Sequence, residues 1–233
     1  MKLAIIPARG GSKRIPNKNI KHFFGKPIIA YSIETALKSG LFDKVIVSTD
    51  DSSIADIARL YGAEVPFVRP SNIANDHAVI SDVLEHALDW FAGKQVNVEY
   101  VCCIYATAPL LDVSDLSAGF DMVLSGKADL CLSITSFSFP IQRSLKCDVS
   151  DSIVPFYPEC MPMRSQDLEP SYHDAAQFFC GTRAAFMNKG EGISMKGYKV
   201  PRSNVQDIDS LEDWEYAELL YQAKILKNND QQK

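Results

Sequence analysis

The segment KLAIIPARGGSKRIPNKNIKHFFGK, residues 2–26, joins an apolar run to a glycine pair and a dense group of positive charges. An apolar run that ends in proline and glycine is typical of a short buried strand followed by a tight loop. Residues 9–26, here called the cationic segment, contain no acid and six cations: Arg9, Lys13, Arg14, Lys18, Lys21 and Lys26. The whole chain has only 24 lysines and arginines and a net charge of −5, so this local excess indicates an anion site.

Outward from this segment, the chain alternates strand-like and helix-like patterns. Strands are predicted in KLAIIP, KVIVST, EVPFVR, VEYVCCIYA and ADLCLSIT. Helices are predicted between them in PIIAYSIETALKSG, DDSSIADIARLYGA, VISDVLEHALDWFA and SDLSAGFDMVLSG. Strands that are apolar on both faces and alternate with helices are typical of a parallel sheet covered on two sides. The sequence therefore predicts a three-layer, doubly wound α/β fold with a mostly parallel sheet, formed by one domain over residues 1–233.

The alternation stops in residues 136–170, which are rich in proline, serine and aromatic residues. An interruption of this length in an α/β domain predicts a projecting arm or lid. Its aromatic and methionine side chains predict contact with a partner, since a projection would expose them. After the arm, AAQFFCGTRAAFM predicts a pair of strands, and residues 210–227 predict a terminal helix.

The composition excludes several classes of protein. An acidic chain without a basic tail is not expected to bind nucleic acid. No apolar run approaches the roughly 20 residues of a membrane helix, so we expect no membrane partner and a cytoplasmic location. The six cysteines show no CxxC spacing, which favours free thiols over disulfides or a zinc site.

The loop that follows the first strand has the features of a phosphate site. Ligands of doubly wound sheets bind where loops leave the carboxyl ends of the strands. Glycines allow backbone N–H groups to approach a polyanion, and the cations would neutralise a triphosphate. The alternative is a solvated basic loop. The patterns GxxxxGK[ST] and GxGxxG are absent, which disfavours a P-loop NTPase and a dinucleotide-binding dehydrogenase.

The stretch IIPARGGSKRIPNKN resembles the signature of the cytidylyltransferases that activate sialic-acid-like sugars, the CMP-sialate synthetase family. VIVSTDDSSIADIARLYGAEVPFVRP and NVQDIDSLEDWEYAE resemble the same family, so the resemblance spans essentially the whole chain. IYATAPLL departs from the family's more usual LQPTSPLR. Together with DAAQFFCG, it is similar to the branch that acts on pseudaminic acid, a nine-carbon bacterial sugar acid found on flagellins.

This resemblance implies a reaction, a cofactor and an assembly. The anomeric hydroxyl of a nonulosonic acid would attack the α-phosphate of CTP, giving CMP-sugar and pyrophosphate with the help of Mg²⁺. Pseudaminic acid is the expected sugar, while sialate, legionaminate and 3-deoxy-manno-octulosonate remain alternatives. A homodimer formed through the arm at residues 136–170 is also implied. A non-catalytic nucleotide-binding regulator on the same fold is the alternative from another class.

The cationic loop and the resemblance together assign the nucleotide site. Arg9 and Lys18 are expected to act in catalysis by holding the triphosphate and stabilising the leaving pyrophosphate. The full set of expected nucleotide-binding residues is Ala8, Arg9, Gly10, Gly11, Ser12, Lys13, Lys18, Asn19, Arg69, Asp76, Ala106 and Thr107. Arg69 and Asp76 could alternatively form a surface pair.

Two late aspartates are expected to bind the metal. Asp207 and Asp209 in VQDIDS share a face if the backbone is extended, and Mg²⁺ takes one or two carboxylates besides phosphate and water. Both are therefore expected metal ligands with catalytic roles, and either could be the primary one. The alternative for Asp209 is a capping box with Glu212 at the start of the terminal helix.

The sugar site is assigned to two short stretches. Tyr105 before ATAP, and Gln177, Phe178 and Phe179 in QFFCG, are expected to contact the sugar acid, although QFFCG could be an ordinary core strand. A guanidinium suits the sugar carboxylate, and the candidates are Arg143, Arg164 and Arg183. The four histidines lack a partner pattern and are expected to be structural.

Overall fold

The computed structural model describes residues 1–75, 78–188 and 192–230, which form ten strands and six α-helices besides short 3-10 turns. The strands are β1 (Lys2–Pro7), β2 (His22–Phe23), β3 (Lys26–Pro27), β4 (Lys44–Ser48), β5 (Tyr100–Ile104), β6 (Leu130–Ser136), β7 (Leu145–Cys147), β8 (Ile153–Pro155), β9 (Tyr172–Thr182) and β10 (Met195–Lys199). The helices are α1 (Ile28–Lys38), α2 (Ser52–Leu60), α3 (Ile80–Gly93), α4 (Val113–Leu124), α5 (Arg183–Met187) and α6 (Leu211–Asp230). In the described ranges, no helix combines the length and apolar character needed to cross a bilayer.

The central sheet has six strands in the order β10–β6–β9–β5–β1–β4. Strand β9 is antiparallel to both of its neighbours, and the remaining pairs are parallel. From β1 the chain first moves outward to β4 and then returns to pair β5 on the other side of β1. The topological switch point therefore lies between β1 and β5. The predicted α/β class with a mostly parallel sheet is confirmed.

Side chains of β1 alternate between two buried layers. Ala4 and Ile6 pack in a core that includes residues of α1, α2 and α4, whereas Leu3 and Ile5 pack against α3 on the opposite face. This alternation follows from the two-residue period of a strand, and it explains the continuous apolar sequence of β1. All six cysteines are free thiols, and four of them are buried: Cys102, Cys103, Cys131 and Cys180.

A third core joins the end of the chain to its beginning. Phe23 of the β2–β3 hairpin lies 5.6 Å from the ring of Tyr31, 5.5 Å from Trp214 and 5.4 Å from Tyr221, measured between ring centroids. We call these four residues the aromatic cluster. Edge-to-face packing of this kind adds to the stabilisation from burial alone. The cluster holds the start of α6 beside the cationic segment.

Two elements differ from their predictions. EVPFVR is not a strand and makes only isolated bridges, Ile46 with Glu64 and Thr49 with Val68. Pro66 lies inside this stretch and has no N–H to donate to a ladder, which explains the interruption. The predicted strand pair is instead the single 11-residue strand β9 followed by α5. The side chain of Thr182 accepts a hydrogen bond from the N–H of Ala185 and so starts that helix.

The predicted arm is an excursion between β6 and β9 that contains the short hairpin β7–β8. Its two ends are neighbours, because Ser136 pairs with Tyr172 in the central sheet. Ten of its large apolar side chains are exposed: Phe137, Phe139, Leu145, Val149, Ile153, Val154, Phe156, Tyr157, Met161 and Met163. The part that this arm plays in dimerisation stays a prediction.

Candidate active site

A cavity of about 300 Å³, here called the first cavity, opens at the carboxyl ends of β1 and β5. This is the switch point of the sheet, where ligands of doubly wound folds bind. Eight of the predicted nucleotide-binding residues line it: Arg9, Ser12, Lys13, Lys18, Asn19, Arg69, Ala106 and Thr107. The structure therefore brings most of the predicted set together around one space.

The cations of the first half of the segment face this cavity. Arg9, Lys13, Arg14 and Lys18 all line it. The ammonium of Lys18 donates to the backbone oxygen of Ile208 at 2.6 Å and lies 3.5 Å from a carboxylate oxygen of Asp209. Arg14 forms an ion pair of 3.0 Å with Asp209. Cations near the start of the sequence therefore contact Asp209, which lies near its end.

The two cations of the second half pack on aromatic rings instead. The Lys21 ammonium lies 4.2 Å from the ring centroid of Trp214, and that of Lys26 lies 4.1 Å from the centroid of Tyr31. Lys26 also forms an ion pair of 2.8 Å with Glu34. These contacts tie the second half of the segment to the aromatic cluster.

The glycine pair does not offer all the donors that the sequence predicts. The N–H of Ala8 donates to Ser48 at 2.9 Å, and that of Gly10 donates to the carboxylate of Asp50 at 3.0 Å. A Cβ atom on Gly10 would come within 2.9 Å of the Asp51 carboxylate, so glycine is needed there for close packing. A Cβ on Gly11 would meet open space. A phosphate contact of the Gly10 N–H, which the sequence predicts, would have to displace its bond to Asp50.

Arg69 is a buried cation at the wall of the first cavity. Its side chain is only 5% exposed, and its guanidinium donates to the hydroxyl and the backbone oxygen of Ser48. Burial, together with the nearby charge of Arg9, lowers the pKa of Arg69 to about 10, while Asp50 opposes the shift. Arg69 therefore keeps its charge at neutral pH. Its predicted companion Asp76 lies outside the described residues.

Asn19 holds the loop in shape. Its buried amide donates to the backbone oxygen of Arg9 at 2.9 Å, which closes the loop on itself. Asn17 adopts a left-handed conformation with φ of 53°, which asparagine tolerates better than most residues. The spacing of the loop residues therefore reflects backbone geometry as well as charge.

The predicted metal ligands stand at the border of two cavities. Asp209 lines both the first cavity and a second cavity of about 400 Å³, and Asp207 lines the second. Partial removal from solvent and the neighbouring charge of Asp209 raise the pKa of Asp207, while Lys18 opposes the rise. Two adjacent carboxylates that repel each other fit a divalent cation, which would relieve the repulsion.

Protein side chains alone would not complete such a metal site. Within residues 1–75, 78–188 and 192–230, no group of three or more His, Cys, Asp and Glu side chains is arranged to hold an ion. Mg²⁺ characteristically takes one or two carboxylates and fills its remaining positions with phosphate and water oxygens. The donor set of Asp207 and Asp209 therefore suits a metal that arrives with a nucleotide.

The capping alternative for Asp209 is not what the structure contains. The cap of α6 is one residue later, because the Ser210 hydroxyl accepts from the N–H of Asp213 at 3.2 Å. In return, an Asp213 carboxylate oxygen accepts from the N–H of Ser210 at 2.8 Å and that of Asp209 at 3.1 Å. This reciprocal pair is a capping box, so the Asp209 carboxylate points to Arg14 and Lys18 instead.

The four residues predicted to contact the sugar lie in different surroundings in the structure. Tyr105 lines the first cavity, and its hydroxyl lies 3.5 Å from a carboxylate oxygen of Asp174. Burial and the charge of Asp174 raise the pKa of Tyr105, so the phenol stays protonated. Phe178 is fully buried in the core, as the alternative of an ordinary core strand predicts. Phe179 packs against Phe186.

Gln177 is also turned inward. It is 2% exposed, and its amide donates to the backbone oxygen of Asn204 at 2.5 Å. Neither Gln177 nor Phe178 lines either cavity. Of the four predicted sugar contacts Tyr105, Gln177, Phe178 and Phe179, Tyr105 alone lines one of these two cavities.

The predicted carboxylate-binding arginines lie elsewhere. Arg143 donates to the backbone oxygen of Met163, and Arg164 forms an ion pair of 2.7 Å with Asp167, both within the arm. Arg183 begins α5 and lies at the opposite edge of the sheet, since β9 runs antiparallel to its neighbours.

Sequence reasoning missed several residues of the second cavity. It is lined by hydroxyl and charged groups that include Thr135, Ser136, Ser138, His173 and Arg202. Arg202 stands five residues before Asp207, so its place in the same segment was a usable signal. Asp174 carried a weaker signal, as the acid that opens DAAQFFCG. Of the other histidines, His86 packs edge-to-face against the ring of Phe67, and His77 lies outside the described residues.

The whole sequence matches one known family. The match to cytidylyltransferases extends over residues 3–231. This chain belongs to the cytidylyltransferase family. It is a nucleotidyltransferase, and the predicted relationship to CMP-sialate synthetases is confirmed.

Three similar proteins illustrate this relationship. A pseudaminic acid cytidylyltransferase of Campylobacter jejuni subsp. jejuni is 42% identical over 225 residues, which are 95% of this chain and 96% of the relative. An N-acylneuraminate cytidylyltransferase of Escherichia coli is 29% identical over 225 residues, covering 95% of this chain and 52% of the relative. A solved structure of CMP:2-keto-3-deoxy-manno-octonic acid synthetase complexed with CTP gives a TM-score of 0.71. At 18% identity over 96% of this chain and 99% of the other, that likeness bears on the fold alone.

Proposed function

We propose that this cytidylyltransferase transfers CMP from CTP to the anomeric hydroxyl of pseudaminic acid and releases pyrophosphate. The observation that carries the proposal is the meeting of Lys18 with Asp209 at the first cavity, where a basic phosphate loop and an acidic metal segment face one space. The choice of sugar follows the 42% identity to a pseudaminic acid cytidylyltransferase, against 29% over the same length for a relative that bears the name of N-acylneuraminate. N-acetylneuraminate and legionaminate are the alternatives.

The nucleotide occupies the first cavity in this proposal. Arg9, Lys13 and Lys18 neutralise the triphosphate, and the buried charge of Arg69 adds a positive potential that solvent screens little. The remaining predicted contacts that line the cavity, Ser12, Asn19, Ala106 and Thr107, shape the pocket around the nucleotide. Phosphoryl-type transfer depends mainly on positioning and on fixed charges that meet the developing negative charge. Lys18 stabilises the departing pyrophosphate.

Asp207 and Asp209 would hold Mg²⁺ in this proposal. The ion would supply neutralisation of the phosphate charge and a lowered pKa for the attacking hydroxyl. The Asp209 carboxylate lies 3.0 Å from the guanidinium of Arg14 and 3.5 Å from the ammonium of Lys18, so it stands beside the cations that face the triphosphate. The bond from Lys18 to the backbone oxygen of Ile208 fixes the aspartate segment at the edge of the phosphate loop.

The sugar acid binds in the second cavity, which Asp209 separates from the first. The hydroxyl groups of Thr135, Ser136 and Ser138 suit a polyhydroxylated ligand, and Arg202 supplies a positive charge for its carboxylate. The phenol of Tyr105, which stays protonated, can donate from the border with the first cavity.

We also propose a homodimer formed through the arm at residues 136–170. The exposed apolar side chains of the arm, such as Phe139 at 80% and Phe156 at 50%, would be covered by a second copy. Light scattering coupled to size-exclusion chromatography should show a dimer for the full chain and a monomer after removal of residues 140–168. In this proposal the arm also helps to cover the site of the neighbouring subunit, so a truncated protein that remains a dimer, or that is a monomer with unchanged activity, contradicts it.

The cytoplasmic location belongs to the proposal as well. Cys147 is an exposed free thiol and Cys160 is partly exposed, which suits a reducing compartment. The exclusion of nucleic acid and membrane partners stays a prediction from charge and composition.

A pyrophosphate-release assay tests the proposed function. The protein is incubated with Mg²⁺, each of the four nucleoside triphosphates, and pseudaminic, legionaminic, N-acetylneuraminic or 3-deoxy-manno-octulosonic acid. We expect release with CTP and pseudaminic acid alone. Release with another sugar acid selects that alternative, and CTP binding without release from any pair supports the regulator instead.

A further inference from the structure

A chain of polar contacts connects the middle of α6 to the segment that carries the two aspartates. It begins at Lys224, whose side chain is only 17% exposed. The Lys224 ammonium lies 2.7 Å from a carboxylate oxygen of Asp112 and donates to the backbone oxygen of Leu110 at 2.8 Å. An ammonium held by two oxygens in a partly buried place is fixed more firmly than an ordinary surface lysine.

Asp112 connects Lys224 to Asn204. It occupies the N-cap position of α4, yet its side chain makes no capping hydrogen bond. Instead its second carboxylate oxygen accepts from the side-chain amide of Asn204 at 3.0 Å. Asp112 thus lacks a capping bond that is typically worth about 1 kcal/mol, and its carboxylate contacts Lys224 and Asn204 instead.

Asn204 is held from its other side by Gln177. The buried amide of Gln177 donates to the backbone oxygen of Asn204 at 2.5 Å. The second amide atom of Gln177, Oε1, makes no hydrogen bond among the described residues. Burial of Oε1 without a partner costs desolvation free energy, which the hydrogen bond from the Gln177 amide to Asn204 helps to offset.

The held residue lies directly before the metal segment. Asn204 is three residues before Asp207 and five before Asp209, and no strand ladder supports the chain between them. The capping box of Ser210 and Asp213 fixes the other end of this stretch. Between these two anchors, Lys18 donates to the backbone oxygen of Ile208, so the stretch that carries the two carboxylates is held at both ends and near Asp209.

We propose that Lys224, Asp112, Asn204 and Gln177 are positioning residues that hold Asp207 and Asp209 in the geometry that a divalent cation needs. None of the four lines the space between the phosphate loop and the aspartates, so they act through the backbone of residues 204–209. The inference rests on the proposed function, because it assigns the network to the metal site of that reaction. Outer residues that orient metal ligands typically change metal affinity by about 10- to 100-fold when removed.

The test compares Lys224→Met with two matched variants. Lys224→Met keeps the aliphatic stem and removes the charge, and Lys224→Arg restores the charge. Lys227→Met removes a cation one turn further along α6 and serves as the control. Mn²⁺ binding to the CTP-loaded protein without any sugar acid is measured from the electron paramagnetic resonance signal of free Mn²⁺, so that no turnover is needed.

We expect Lys224→Met to weaken Mn²⁺ binding about 10-fold, or about 1.4 kcal/mol, and the other two variants to stay within about twofold of the parent. In the steady state, Lys224→Met should need more Mg²⁺ for half-maximal rate, with the KM for CTP nearly unchanged at saturating Mg²⁺. Asn204→Ala provides the second variant if Lys224→Met does not fold.

Unchanged Mn²⁺ affinity in the folded variants, with only a lower Tm, overturns the inference and leaves the network a structural one. Failure of the proposed function gives a different result. In that case the parent binds CTP and Mn²⁺ but releases no pyrophosphate with any sugar acid, and the Mn²⁺ comparison still reports on the network. A parent that binds no Mn²⁺ in the presence of CTP overturns this inference.

Discussion

The two halves of the cationic segment use the same residue types for different purposes. Arg14 and Lys18 meet Asp209 at the rim of the first cavity, whereas Lys21 and Lys26 lie on aromatic rings. The second half therefore builds the support to which α6 is attached, and the first half faces the ligand. Charge density in a sequence thus marks the neighbourhood of a site, but packing decides which cations belong to it.

The largest effect should come from the first half. Lys18→Met removes the ammonium that joins the phosphate loop to Ile208 and Asp209, and should lower kcat/KM at least about 100-fold, roughly 2.7 kcal/mol of transition-state stabilisation. Asp209→Asn should lose a similar amount. Pyrophosphate release measures both, with Lys26→Met as the matched control. Rates within a few fold of the parent would place the site away from this junction.

A smaller effect, on stability and not on rate, should come from the second half. Lys26→Met removes the partly buried ion pair with Glu34 and the contact with the ring of Tyr31, for about 1 kcal/mol. For a chain of this size that corresponds to a fall in Tm of about 2–4 °C. Thermal unfolding measures the change in stability, and the pyrophosphate assay measures the change in rate. A large loss of rate without loss of stability would assign Lys26 to the ligand after all.

The smallest effect should come from Asp213 in the cap of α6. Hydrogen bonds from Ser210, the largest cause, hold the pKa of Asp213 below its ordinary value. The carboxylate therefore stabilises the fold above the ordinary aspartate pKa of about 4, and this contribution is lost as the pH falls through the lower value of the folded state. Asp213→Asn should cost about 0.5 kcal/mol near pH 7 and less at pH 3.

Urea unfolding at several pH values measures that difference, with Asp209→Asn as the control. The control should change activity strongly and stability little, because Asp209 does not cap the helix. An equal cost for Asp213→Asn at pH 3 and pH 7 would mean that the ionised carboxylate is not what stabilises the cap.

Much of the fold follows from local patterns. The apolar run of β1 and the capped helix α2, whose Asp51 accepts from the N–H of Ile54, lie where the sequence predicts them. EVPFVR failed as a strand because β propensity counts little where Pro66 cannot join a ladder. The direction of β9 was beyond local reasoning, since it depends on how the arm returns the chain to the sheet.

The candidate site also contains some residues that local sequence predicts and others that it does not. Arg9 and Lys18 were predicted from their positive charge and from their position after the first strand, and both line the first cavity. The contact between Lys18 and Asp209 was not predicted, because a contact across 191 residues leaves no local trace in the sequence. Gln177 shows the limit of motif transfer, since a polar residue in a matching motif turned out to be tied to the backbone of Asn204.

The arm leaves and rejoins the sheet at paired positions, Ser136 and Tyr172. Its length is consequently decoupled from the register of the strands that flank it, and lengthening such a loop costs only a small, logarithmic amount of chain entropy. Residues can therefore be added to the arm or removed from it without shifting β6 against β9. The arm is consequently the part of this architecture whose length can change at the least cost to the sheet.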